Sequence, residues 1–112
     1  MSDERAERIA ERRVEVLASL QEVDRQLAEL RALRQGLSDD DEHDPDGFSL
    51  SSEWSRLEGL RQAAVEALTA IEHAAVRLAN GEHGICVICG GPIAPARLEA
   101  RPHATTCIDC AR

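Results

Sequence analysis

The sequence has no lysine and no tyrosine, and its only aromatic side chains are Phe48 and Trp54. So few rings argue against a large globular core. No apolar run approaches the roughly 20 residues that span a bilayer. The start, Met1-Ser2-Asp3-Glu4-Arg5, is charged and lacks the apolar stretch of a signal peptide. A cytoplasmic protein with no membrane partner is expected. Positive charge is also scarce: 13 basic residues, all arginine, stand against 21 acidic ones, for a formal net charge of -8. That balance disfavours binding to nucleic-acid phosphates, and with it direct reading of a DNA sequence. It favours a basic protein partner. At 112 residues the chain has room for one compact domain, or for an elongated element with a small module.

What is present is a pair of cysteine motifs. Cys86 and Cys89 form one C-x2-C, Cys107 and Cys110 form another, and 17 residues separate them. This interval suits a four-cysteine zinc site, and no cysteine is left over. Zinc favours four thiolates in a tetrahedron, and each C-x2-C turn presents two sulfurs from one side. Gly90 and Gly91 suit such a turn, because glycine takes positive φ and lets backbone N–H groups approach sulfur. Two disulfides are the competing reading, but the chain shows no export signal. Four thiolates leave no open coordination position, so the expected zinc is a single structural ion. Such a cluster carries a charge of about −2, and Arg97 and Arg101 are near enough in sequence to offset it. The bland reading of those arginines is ordinary surface charge. His83 and His103 lie shortly before cysteines, but four thiols make them unnecessary as ligands. With no phosphate-binding glycine loop and no nucleophile–base constellation, no enzymatic activity is expected.

The first part of the chain reads as helix. From about Asp3 to Leu37, Ile9, Val16, Leu20, Val23, Leu27, Leu30 and Leu37 follow a heptad seam, interrupted by Arg13 and Arg34. Those arginines should lean toward solvent and leave only their stems on the seam. From about Ser51 or Ser52 to Asn80 a second seam runs through Trp54, Leu57, Arg61, Ala64, Leu68, Ile71, Ala75 and Leu78. Its start could lie earlier, near Gly47, since Phe48 and Leu50 are otherwise unexplained. Large residues on one helix against alanines on the other suit a close antiparallel pair. Asn80-Gly81 ends the second helix. Between the helices lies Ser38 to Gly47, with six acidic residues in ten and Pro45-Asp46-Gly47 turn chemistry. The expected fold is all-α: a long antiparallel coiled-coil hairpin over residues 1–80, with its tip at about 38–50, and a zinc-finger module over 81–112. The module is too small for an apolar core of its own, so zinc should supply its folding energy.

Three stretches of the last third are distinctive: Gly84-x-Cys86-x-x-Cys89-Gly90-x-x-Ile93, Arg97-Leu98-x-Ala100-x-Pro102, and Ala104-x-x-Cys107-Ile108-x-Cys110. Together they resemble the DksA/TraR family of bacterial zinc-finger proteins. The upstream hairpin agrees with the longer, DksA-like members in length and layout. The resemblance implies a regulator that binds core RNA polymerase, inserts its hairpin into the secondary channel and alters transcription initiation. The family's acidic tip motif, D-x-x-D-x-A, is matched by Asp41-Glu42-His43-Asp44-Pro45-Asp46. Asp41 and Asp44 take the aspartate positions. Asp46 stands where the family has alanine, and a third carboxylate there could change or abolish the effect on open complexes. Only Ala111 and Arg112 follow the last cysteine. The resemblance therefore does not carry over the C-terminal helix of the family or its site for the alarmone ppGpp.

Two other classes remain open on the residues alone. Paired C-x2-C turns also suit a zinc- or thiol-based redox sensor or stress protein that does not act on polymerase. Seam alanines would also allow a purely structural, dimeric coiled coil.

Overall fold

The computed structural model describes the backbone of residues 2–37 and 45–111, and side chains from 4–36 and 49–111. Three helices are present among the described residues: α1 (Ser2–Leu37), α2 (Pro45–Ala79) and the short α3 (Pro95–Ala100). No strand occurs among the described residues, only an isolated antiparallel bridge between Ile85 and Pro92. The expected all-α helical hairpin with a C-terminal four-cysteine module is the observed architecture.

Helix α2 begins at Pro45 rather than at Ser51 or Ser52. Proline at the first helical position loses nothing, because its missing N–H would have no partner there, and its φ is already helical. The earlier start draws Leu50 into the packing. The part of the expected turn that holds Asp41 and Asp44 lies outside the described residues. Asp46 falls on the first turn of α2, and its side chain lies outside the described ones.

The residues divide into two compact units. One is contiguous, Leu17–Glu66. Its core is Val23, Leu27, Leu30 and Leu57, with Leu50 and Trp54 packed against it. Burial of each such side chain is worth about 1.5–3 kcal/mol. Pairing here is antiparallel: Asp24 meets Arg61 at 2.8 Å, and further along α1 the Arg31 and Arg34 guanidiniums lie 5.7 and 5.8 Å from the Trp54 ring centre.

The other unit joins Met1–Val16 to Ala67–Arg112. Ile9, Val16, Ile71 and Ala74 are buried in it, and Arg13 meets Glu72 at 3.6 Å. Ala74 replaces the expected Ala75, which is exposed. The reason is a second covering on the end of α2. Ala70 lines a pocket with Arg97 and Ala104, and Arg77 bonds the chain that enters the metal module. Ala74 lies on the same helical stripe, between Ala70 and Arg77.

The seam arginines do more than lean outward. Arg13 pairs with Glu72, Arg61 with Asp24, and Arg34 stacks over Trp54. Each interruption of the apolar seam thus has a partner on the opposite helix. Exposed ion pairs of this kind are worth about 0–1 kcal/mol, so they select a register more than they stabilise it.

Candidate metal centre

The approach to the metal centre starts at the end of α2. Gly81 takes φ 76°, its N–H bonds Leu78 O at 3.1 Å, and Glu82 N–H bonds Arg77 O at 2.8 Å. This is a Schellman stop, which satisfies the last carbonyls and turns the chain. Arg77 then reaches forward, and its Nη2 donates to the carbonyls of Glu82 (3.1 Å) and Ile85 (2.6 Å).

The first cysteine turn is closed by backbone bonds. Cys86 N–H donates to Gly91 O at 2.8 Å, Ile93 N–H to Gly84 O at 2.8 Å, and Gly90 N–H to Cys86 O at 3.0 Å. Gly90 has φ 74°, the left-handed conformation that favours glycine. Gly91 N–H lies 3.4 Å from Cys89 Sγ. A bond from Val87 N–H to Thr105 O, 2.9 Å, ties this turn to the second.

Sequence reasoning missed α3. Pro95 opens it, Arg101 N–H closes it on Arg97 O, and it buries Leu98. Leu98 joins Cys86, Ile93 and Ala104 in a small core. Arg97, carried on α3, donates from Nε to Thr106 O at 2.9 Å, beside Cys107. Arg97 and Arg101 line one pocket together with Cys110 and His103.

The four cysteine sulfurs lie within 4.8 Å of one another. Cys89 Sγ and Cys107 Sγ are 3.8 Å apart. A tetrahedron of sulfurs about 2.3 Å from zinc has edges of about 3.8 Å, so the donor set fits zinc in both chemistry and spacing. Cys86 is buried, Cys107 and Cys110 are half-buried, and Cys89 is exposed. Backbone N–H groups of Cys89 and Cys107 bring the Cys86 thiol down to about 6. Hydrogen bonds with Cys107 and Cys86, together with burial, push Cys110 up to about 12. The metal supplies the charge that lets all four be thiolates at once, and the site holds one structural zinc.

The histidines are not ligands. His83 is buried, and its Nε2 meets Pro102 O at 2.7 Å, so that nitrogen carries the proton. His103 is half-buried, and burial together with Arg101 and Arg12 lowers its proton affinity. His83 and Arg77 are the structural residues that sequence reasoning did not single out for this role. The only signal was proximity to the cysteines.

Helical hairpin and metal centre together define a four-cysteine zinc-finger protein. Residues 81–112 match the model of the prokaryotic dksA/traR C4-type zinc finger. The structure resembles that of transcription factor DksA2 from Pseudomonas aeruginosa, with a TM-score of 0.81 and 26% identity, over 98% of this chain and 79% of that one. No curated protein sequence matched the chain. Residues 81–112 thus carry a zinc finger of the DksA/TraR type, on a fold like that of a DksA transcription factor.

Proposed function

We propose that this chain regulates transcription by binding core RNA polymerase, with its acidic residues acting inside the secondary channel. The observation that carries this reading is the likeness, over nearly the whole chain, to a solved transcription factor that shares the family's architecture. The charge balance of -8 supports action on a protein rather than on DNA. No helix among the described residues is long and apolar enough to cross a membrane, and a cytoplasmic site of action agrees with that.

In this reading Asp41, Asp44 and Asp46 are the working carboxylates. They are hard oxygen donors suited to a basic side chain or a Mg²⁺ ion near the polymerase centre. The zinc does no chemistry and holds the module together. Asp46, in the place of the family's alanine, shifts the effect on promoter complexes. Regulation by ppGpp is not part of the proposal.

The test is co-purification with core polymerase, followed by promoter-complex lifetimes. The wild-type chain is expected to bind and to change those lifetimes. The pair Asp41→Asn and Asp44→Asn is expected to keep binding and lose the effect. A wild-type chain that neither binds polymerase nor alters any transcript overturns the proposal.

A further inference from the structure

Eight large apolar side chains are exposed among the described residues, and half of them crowd into the metal module. They are Ile85 (43% exposed), Val87 (57%), Ile88 (67%) and Ile108 (61%). None belongs to the module's core of Cys86, Ile93, Leu98 and Ala104. None is a metal ligand.

Val87 and Ile88 are the two residues between Cys86 and Cys89, and Ile108 follows Cys107. A C-x2-C turn wraps its sulfurs toward the metal, so the intervening side chains face away from it. The two turns are neighbours: their sulfurs lie within 4.8 Å, and Val87 N–H bonds Thr105 O. Three aliphatic side chains therefore flank one metal and meet water. The metal, the backbone bonds and the separate core of Cys86, Ile93, Leu98 and Ala104 hold this module, and these exposed side chains are no part of that core. An apolar patch outside the core points to contact with a partner.

Charge decides the kind of partner. Zinc with four thiolates carries about −2, and Cys89 and Asp109 beside the patch are exposed. The whole chain carries -8, so a second copy, an anionic lipid surface and a nucleic acid all meet repulsion. We propose that Val87, Ile88 and Ile108 form a docking surface for an aliphatic face of core polymerase flanked by arginine or lysine, separate from the acidic residues. This inference rests on the polymerase reading above.

The test uses the full zinc-loaded chain and a fluorescence-anisotropy titration with core polymerase. The triple variant Val87→Ser, Ile88→Ser, Ile108→Ser is expected to keep one zinc and its helix content, and to bind at least tenfold more weakly. Single changes at the most exposed position guard against a folding artefact and read the partner's charge: Ile88→Arg should weaken binding more than Ile88→Glu. Wild-type affinity in the triple variant overturns the docking surface while leaving the proposed function standing. The reverse order of the Ile88 variants overturns the basic partner. A wild-type chain that does not bind polymerase overturns both proposals. Wild-type self-association in sedimentation, abolished by the triple variant, assigns the patch to a second copy instead.

Discussion

The Arg5 guanidinium donates to the carbonyl oxygen of His83 over 3.1 Å, across 78 residues of chain. It lies against Gly84, whose φ is 86° and whose added Cβ would come within 2.9 Å of Arg5 Nη1. Gly84→Ala is expected to destabilise the chain by about 1–2 kcal/mol, chiefly through the left-handed backbone. The guanidinium is the end of a flexible side chain and can give way. Arg5→Ala should cost about 1 kcal/mol, the net worth of the bond. Urea denaturation of the two variants and their double mutant checks both values.

Zinc should be bound at one ion per chain, and Cys86→Ser should lose it. Cys86 is the buried ligand and also belongs to the module's apolar core, so the substitution removes both contributions. Elemental analysis and the thermal midpoint with and without chelator are the measurements. A variant that kept both zinc and midpoint would contradict the assignment.

Zinc uptake should release protons. The Cys86 thiol, lowered to about 6, is already largely ionised at pH 7.5, whereas Cys110, raised to about 12, must give up its proton to the metal. The sign follows directly: apparent affinity falls as pH falls. Calorimetry in buffers of different ionisation enthalpy counts the protons, and a count of zero would be inconsistent with thiolate ligation.

His103 should make stability depend on pH. Burial, Arg101 and Arg12 lower its affinity for a proton in the folded chain. The unfolded chain therefore binds the proton more readily. The stabilising difference is full above the ordinary histidine value near 6.5 and is lost as pH falls from there through the lower folded value. His103→Gln should flatten the dependence between roughly pH 7 and 5.5. The difference between the two thermal midpoints across that range is the readout, because acid release of zinc affects both proteins alike.

Trp54 is half-buried against Val23, Leu27, Leu30 and Leu57, under two guanidiniums. Trp54→Ala should cost about 2–3 kcal/mol, less than for a fully buried ring. Arg34→Ala should cost about 0.5–1 kcal/mol through the lost cation–π contact. As the chain's one tryptophan, Trp54 gives an emission signal specific to Leu17–Glu66 for following this in denaturant.

The seam from Ile9 to Leu30 and the four cysteines were legible because each rests on spacing, and spacing is what a sequence records directly. Arg13, Arg34 and Arg61 were legible as interruptions but not as pairs. Their partners Glu72, Trp54 and Asp24 depend on a register that no local pattern fixes. Ala74 was missed in favour of Ala75 because the metal module covers a second face of α2, which heptad counting ignores. Helix α3 was missed because six residues are too few for a period, and Pro95 read alone suggests a turn. Arg77 looks like an ordinary helix end, and His83 like a histidine not needed as a ligand, until the backbone carbonyls of Glu82, Ile85 and Pro102 are placed around them.

The partition of the chain sets an order of assembly. Leu17–Glu66 is unbroken in sequence and can close on itself as soon as its last residues emerge from the ribosome. The opening sixteen residues have no such option, since their partners lie from Ala67 onward, Glu72, His83 and Glu99 among them. During synthesis Ile9 and Val16 stay unsheltered until the end of α2 has been made, and the bonds of Arg5 to His83 and Arg8 to Glu99 form only once the metal module follows.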